Sequence, residues 1–268
     1  MSKIQIYYFS GTGNTFFVVD RLAKYLRELG NTVDFTSCEK VEKIDCNYDI
    51  IGIAYPIHTS TAPKIFSEFI KKMPVVNNKP LFGIVTSGYM AGDVLNYESK
   101  GLIQKGYKPF LFRNIVLANN LHLPFLCPLK VTNKRVIDKR LIKIEEKIKE
   151  IAININNRNT DIRGNNLIGK LFGVLQRSCG EIHEIKNFKG FTCSDNCIKC
   201  RWCINNCPTK NIKISSGKIT FDNNCLLCMR CYNFCPFNAI QVTTKTNNIS
   251  KYQRYKGPKS LGHKTPFK

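Results

Sequence analysis

The stretch that decides the fold is Lys3-Ile4-Gln5-Ile6-Tyr7-Tyr8-Phe9-Ser10-Gly11-Thr12-Gly13-Asn14-Thr15. A run rich in isoleucine and aromatic side chains leads straight into two glycines framed by hydroxyls, which reads as a buried strand ending in a tight loop. Val18, Leu22, Leu26 and Leu29 then recur at helical spacing, and Gly30-Asn31 stops the helix. A glycine loop between a strand and a helix aims backbone N–H groups and the positive end of the helix dipole at one point, where an anion binds. No Gly-Lys-Ser/Thr closes the loop, so it is not a Walker A motif, and Phe16 stands where the dinucleotide fingerprint needs its third glycine. No acid ends the second strand at Thr36-Ser37 to hold a ribose. Ser10, Thr12, Thr15 and the Asn14 amide are instead neutral donors suited to a phosphate monoester.

The alternation continues outward from this loop. Residues 32–36, 49–55, 80–86 and 110–117 read as further strands, with helices over 62–72 and 90–105. Such alternation predicts right-handed βαβ units and a parallel sheet covered on both faces. Ile137, Leu141, Ile144, Ile148, Ile151 and Ile155 share one face of a long helix, expected to pack on the sheet or on a second domain. Residues 154–166 are polar and Asn-rich, and read as a linker. The apolar run 167–175 could lie on a membrane interface, but two glycines interrupt it, and a helix tucked between domains is the preferred reading.

Cysteine usage sets the rest of the chain apart. The sequence holds 13 cysteines, and those from Cys193 to Cys235 crowd one short segment, while Cys38, Cys46, Cys127 and Cys179 are scattered. The odd total and the absence of an export signal at the start argue for a metal site in a reducing cytosol rather than a disulfide framework. Cys197-x2-Cys200-x2-Cys203-x3-Cys207-Pro208 recurs as Cys225-x2-Cys228-x2-Cys231-x3-Cys235-Pro236. Zinc sites built from CxxC pairs leave the third cysteine of each run unexplained. A cubane needs three thiolates wrapped around one face and a fourth from elsewhere, which CxxCxxC followed by a distant cysteine supplies.

The paired motifs resemble the bacterial two-cluster ferredoxins, in which the cysteine before proline ligates the other cluster. That resemblance implies Cys197, Cys200, Cys203 and Cys235 on one [4Fe–4S] cluster, and Cys225, Cys228, Cys231 and Cys207 on the second. Ile198, Ile204, Ile212, Leu226 and Ile240 would line them, with Cys193 a bystander thiol. The loop Ser10, Gly11, Thr12, Gly13, Asn14, Thr15 resembles the flavodoxin phosphate loop. It implies a flavodoxin-like, doubly wound, five-stranded parallel sheet in the order 2-1-3-4-5, with FMN at the switch point. Tyr55-Pro56-Ile57-His58-Thr59 and Thr86-Ser87-Gly88-Tyr89-Met90-Ala91-Gly92 follow the third and fourth strands. By the same resemblance these loops would hold the isoalloxazine ring, with Tyr89 the first choice to stack on it and His58 or Tyr55 the second.

The whole chain resembles the flavodoxin–ferredoxin fusions of anaerobic bacteria. The implied organisation is an FMN domain over 1–160, a linker or docking helix over 161–190, a small α+β ferredoxin domain over 191–242, and a basic tail over 243–268. The expected function is electron transfer between two clusters and FMN, as a carrier between a low-potential donor and an acceptor protein. The alternative is an FMN-dependent reductase that passes two electrons to a small acceptor, with His58 as the proton donor. The chain carries 41 Lys+Arg against 19 Asp+Glu, a net charge of +22. With no nucleic-acid motif present, that charge is expected to steer an acidic redox partner rather than to bind DNA or RNA. No apolar run reaches the roughly 18 residues of a spanning helix, so a cytoplasmic protein without a transmembrane segment is expected.

Overall fold

The computed structural model describes residues 1–124, 130–164, 166–187 and 190–258. Its first elements are β1 (Lys3–Tyr8), α1 (Asn14–Glu28), β2 (Thr32–Ser37), β3 (Ile50–Pro56), α2 (Lys64–Lys72), β4 (Lys79–Ser87), α3 (Val94–Glu98), α4 (Lys100–Gln104) and β5 (Tyr107–Val116). They are followed by α5 (Lys134–Asn156), β6 (Asp161–Ile162) and α6 (Leu167–Asn187). The cysteine-rich region adds β7 (Thr192–Cys193), α7 (Trp202–Asn205), β8 (Ile212–Ser215), β9 (Lys218–Phe221), α8 (Arg230–Phe234) and β10 (Ile240–Gln241).

β1 pairs in parallel with β2 on one side and β3 on the other, so the winding reverses there. The sheet runs β2-β1-β3-β4-β5-β6, with every pair parallel. Because helices cover both faces, β1 and β3 are apolar on both sides rather than alternating. On one face Ile4, Ile6, Leu22, Leu26, Ile84, Ile148 and Ile151 pack beneath α1 and α5. On the other, Tyr7, Ile51, Ile53, Phe66, Phe69, Leu81 and Leu102 pack beneath α2 and α4. Each fully buried side chain of this size contributes roughly 1.5–3 kcal/mol. The stripe from Ile137 to Ile155 on α5 lies against the sheet face, as its spacing predicts.

The expected order 2-1-3-4-5 therefore holds, with one addition. The short strand β6 joins the edge of β5 inside the stretch read as a linker, pairing Leu111 with Asp161. Its cause is a charge: buried Arg113 on β5 forms ion pairs with Asp161 and with Glu150 of α5. The helix expected over 90–105 is split into α3 and α4 at Ser99, whose side chain is fully buried.

The cysteine-rich region builds its own small core from Phe191, Ile212, Ile219, Met229, Tyr232, Ile240 and Val242. β8 and β9 form a hairpin turned by Ser216 and Gly217, both at positive φ as a tight two-residue turn requires. The stretch read as a basic tail, 243–268, is described through residue 258 and packs against the rest of the protein. Tyr252, Arg254 and Tyr255 are buried, and Tyr255 enters the α1/α5 core. Residues 259–268 and Cys127 lie outside the described residues. Among the described residues, no helix is long and apolar enough to cross a membrane.

Candidate cofactor sites

The reversal between β1 and β3 opens a crevice at the carboxyl ends of the strands, the place where open α/β sheets bind ligands. A cleft lies there, lined by Ser10, Gly11, Thr12, Asn14, Thr15, Pro56, Ile57, His58, Thr86, Ser87 and Gly88. Gly13 takes the left-handed φ of 95° that starts α1. Ser10 Oγ accepts from the backbone N–H groups of Gly13 and Phe16, both at 3.2 Å, which fixes the loop's curl. Thr15 at the head of α1 and Thr86 at the end of β4 are joined through their hydroxyls, 2.8 Å apart.

These residues fit a flavin mononucleotide. The loop end offers hydroxyls and the amino end of a fifteen-residue helix to a phosphate, and no carboxylate lines the cavity among the described residues. The other end is walled by Pro56, Ile57, His58 and Gly88, a less polar set of residues. Burial holds the His58 imidazole down to about 4, so it is neutral near pH 7. As a neutral ring it can donate one hydrogen bond and accept another.

Four of the residues expected at the flavin are not among those lining this cavity. Tyr55 is fully buried in the core with its ring centroid 5.0 Å from that of Phe66, because its strand position points it beneath α2. Gly92, at φ 59°, lies against Ser60 and Gly173 of α6. Tyr89 is half exposed on the loop after β4, outside the cavity wall. Gly13 serves as the helix cap behind the lining.

Three residues that sequence reasoning missed complete the wall: Ala118, Asn120 and Cys228. The loop after β5 carried a signal, since every parallel strand ends at this edge. Asn120 Nδ2 donates to Thr12 Oγ1 at 2.6 Å, and Asn14 Nδ2 donates to the Ala118 carbonyl at 3.3 Å. Nothing in the sequence foretold Cys228, which arrives from the cysteine-rich region.

Arg230 explains that arrival. Its buried guanidinium donates to the carbonyls of Ser10 at 2.8 Å, Gly11 at 3.2 Å and Asn206 at 3.0 Å. It also pairs with Glu39 just past β2, Nη1 to Oε2 at 2.9 Å. Burial opposes its charge, but Glu39 together with Cys228 and Cys207 raises the guanidinium above its ordinary value. The glycine loop, the edge of the sheet and both halves of the cysteine-rich region thus meet at one cation.

The two cysteine motifs fold alike. Lys199 and Arg201 take left-handed backbone in the first, as do Leu227 and Met229 at matching positions in the second. Cys197 Sγ accepts from Lys199 N–H and Cys225 Sγ from Leu227 N–H, both at 3.4 Å. Cys207 and Cys235 accept from Asn211 and Ala239 N–H at 3.2 Å. One cavity gathers Cys197, Cys200, Cys203 and Cys235, with Ile198, Trp202 and Ile240. A second gathers Cys207, Cys225, Cys228 and Cys231, with Ile212 and Leu226. Ile204, also expected as lining, packs on the neighbouring core instead.

The donor chemistry of these cavities fits an iron–sulfur cluster: four thiols and apolar walls around a space, not a point. Among the described residues, no group of three His, Cys, Asp or Glu side chains is set to hold a single metal ion. Burial pushes the Cys203 thiol up to about 11 and Cys225 up to about 12. The thiolates therefore need bound metal charge to persist. Cys193 lines neither cavity, and burial with a hydrogen bond to Cys197 pushes its thiol up to about 12.

A parallel sheet with an anion loop at its switch point, joined to a module with twinned cysteine loops, defines a flavodoxin-like fold carrying a ferredoxin-type region. Residues 5–116 match the flavodoxin domain family, and residues 196–240 match the 4Fe-4S dicluster domain family. The chain thus joins these two domains, and their combination makes it an electron-transfer redox protein of the flavin and iron–sulfur type. Solved structures similar to it include a flavodoxin from the domain Archaea, 17% identical with a TM-score of 0.41, covering 57% of this chain and 99% of that one. Flavodoxin from Megasphaera elsdenii, in its two-electron reduced form, is 16% identical with a TM-score of 0.39, covering 56% and 98%. Flavodoxin from Fusobacterium nucleatum bound to flavin mononucleotide is 13% identical with a TM-score of 0.42, covering 60% and 100%. No curated protein matches the chain.

Proposed function

We propose that this chain is an internally wired electron carrier, holding FMN over residues 1–160 and two [4Fe–4S] clusters over 191–242, and exchanging electrons with an acidic protein partner. The observation that carries the reading is the double placement of Cys228, which belongs both to the wall of the flavin cavity and to the second thiol cavity. FMN accepts one or two electrons and the clusters pass one at a time, so together they join single-electron donors to either kind of acceptor.

The protein's own residues set the conditions for that exchange. Cys197, Cys200, Cys203 and Cys235 would hold the outer cluster, and Cys207, Cys225, Cys228 and Cys231 the cluster nearer the flavin. Ser10, Thr12, Asn14 and Thr15 would orient the phosphate, with the loops at Pro56–His58 and Thr86–Gly88 flanking the ring. Arg230 locks the ligand loop onto the phosphate loop, so the two sites keep one spacing rather than swinging on the helix that links them. The net charge of +22 supports an acidic partner, attracted over a screened distance of about 8–10 Å at cellular salt.

Iron and acid-labile sulfide analysis of the anaerobically purified protein tests the cofactor count. About eight irons per chain are expected, falling to about four in Cys200→Ser and unchanged in Cys193→Ser. Four irons in the unsubstituted protein would sink the two-cluster reading. Stopped-flow reduction by a one-electron donor tests the wiring: the flavin should be reduced more slowly in Cys228→Ser than in Cys200→Ser. Equal rates would remove the second cluster from the route.

A further inference from the structure

One face of α6 is turned the wrong way for an ordinary surface helix. Leu167, Ile168, Leu171, Val174 and Leu175 are between 55% and 82% exposed. At 3.6 residues per turn they fall within about 120° of the circumference, forming one continuous aliphatic ridge. The opposite face meets the protein through Gly173, Gln176 and Arg177. A Cβ at Gly173 would strike Asp93 Oδ1, and Gly92 approaches the same glycine closely. Ser60 Oγ donates to Gln176 Oε1 at 2.5 Å, and Arg177 pairs with Asp93 at 2.6 Å while its guanidinium lies over the Tyr97 ring. Turning the leucines inward would break that ion pair and force a side chain into a gap only glycine fits. The exposure is therefore held in place by the packing.

We propose that this ridge is a docking surface for an anionic lipid bilayer, with α6 lying in the plane of the membrane interface. Three features favour lipid over a protein partner. The ridge is convex and wholly aliphatic, whereas protein hot spots rely on Trp, Tyr and Arg, with Leu and Val under-represented. Residues 166–178 contain no carboxylate, and Lys170 lies beside the ridge, while Arg163 and Arg177 pair with Asp161 and Asp93, so the local attraction for anionic headgroups rests on Lys170. The chain as a whole carries +22, so long-range attraction and apolar insertion act together. The loops that α6 grips, at Ser60 and Asp93, follow the strands that border the flavin cavity, so docking would set that cavity beside the membrane.

Co-sedimentation of the intact protein with vesicles tests this without reference to its redox chemistry. Phosphatidylcholine vesicles containing about one-third phosphatidylglycerol should bind the protein, with at least tenfold weaker binding to pure phosphatidylcholine. The double substitution Leu171→Asn with Val174→Asn should weaken binding at least tenfold, while Ile142→Asn, an equally exposed aliphatic on α5, should leave it unchanged. As a gain-of-signal variant, Leu171→Trp should show a blue-shifted emission when anionic vesicles are added. Absence of binding, equal binding by the double variant, or a missing blue shift would overturn the proposal. So would a dimer in solution that the double variant dissociates, since the ridge would then be covered by a second copy.

Discussion

Gly11 and Cys228 touch across more than two hundred residues of sequence: a Cβ on Gly11 would stand 2.7 Å from the Cys228 carbonyl oxygen. This backbone contact presses the phosphate loop against a thiol-bearing loop, and only a glycine leaves room for it. Gly11→Ala must push one of the two backbones aside. FMN affinity should fall at least tenfold, about 1.4 kcal/mol, measured by flavin fluorescence titration, with α/β secondary structure unchanged by circular dichroism.

Arg230 is a buried cation paired to Glu39 and to three backbone carbonyls. Arg230→Met leaves the Glu39 carboxylate without its partner, a loss of about 3–5 kcal/mol. For a protein of this size the thermal midpoint should drop by roughly 6–20 °C. Adding Glu39→Leu should recover part of the loss, because the stranded charge is gone. Differential scanning calorimetry of the three proteins decides it.

His58 makes the fold sensitive to acid in a predictable direction. Its folded value of about 4 lies below the ordinary 6.5. Between those two values the unfolded chain binds a proton that the folded one refuses, so stability is lost as pH falls from about 6.5 towards 4. His58→Gln should flatten the fall in thermal midpoint over that window and leave the midpoint at pH 8 nearly unchanged.

Arg254 is buried over the Tyr232 ring at 3.3 Å, and its Nε and Nη1 have no hydrogen-bond partner among the described residues. Its charge is felt at Tyr232, Cys235 and Cys231. A cluster held by either cysteine is then stabilised in its more negative, reduced state. Arg254→Gln should shift the reduction potentials to more negative values, read by EPR-monitored redox titration at fixed pH.

Tyr255 gives its hydroxyl hydrogen to Asn14 Oδ1 at the head of α1. Tyr255→Phe should cost about 1 kcal/mol of stability and weaken FMN binding several-fold, since Asn14 loses the bond that orients it. Equal FMN affinity in the two proteins would show that Asn14 is held by the Ala118 carbonyl alone.

The parts of this protein that were legible are those whose cause is local. The run from Lys3 to Thr15 encodes strand, loop and helix start within thirteen neighbours, and the twinned cysteine spacings encode two matching loops. What stayed hidden depends on distance or on composition that misleads. Cys228 looks like any other cysteine of its motif, and only the folded chain brings it to Gly11. Tyr55 has the place in sequence of a flavin-contacting residue, but strand alternation turns its ring into the core. The tail reads as basic and poor in apolar residues, which does not foretell which of its side chains are buried: Tyr252, Arg254 and Tyr255. In α6 two glycines lowered the weight of a lipid-facing helix, and one of them, Gly173, helps hold its leucines outward.

The clasp between Tyr255 and Asn14 also orders events in time. The phosphate loop is made long before the residues that complete it: its wall includes Cys228, its brace is Arg230 and a further hydrogen bond comes from Tyr255. A nascent chain can assemble β1 to β5 early, but its glycine loop stays unfinished until the segment around Tyr255 has joined it. A chain truncated before Arg230 would then emerge as a folded sheet whose glycine loop lacks its brace and part of its wall.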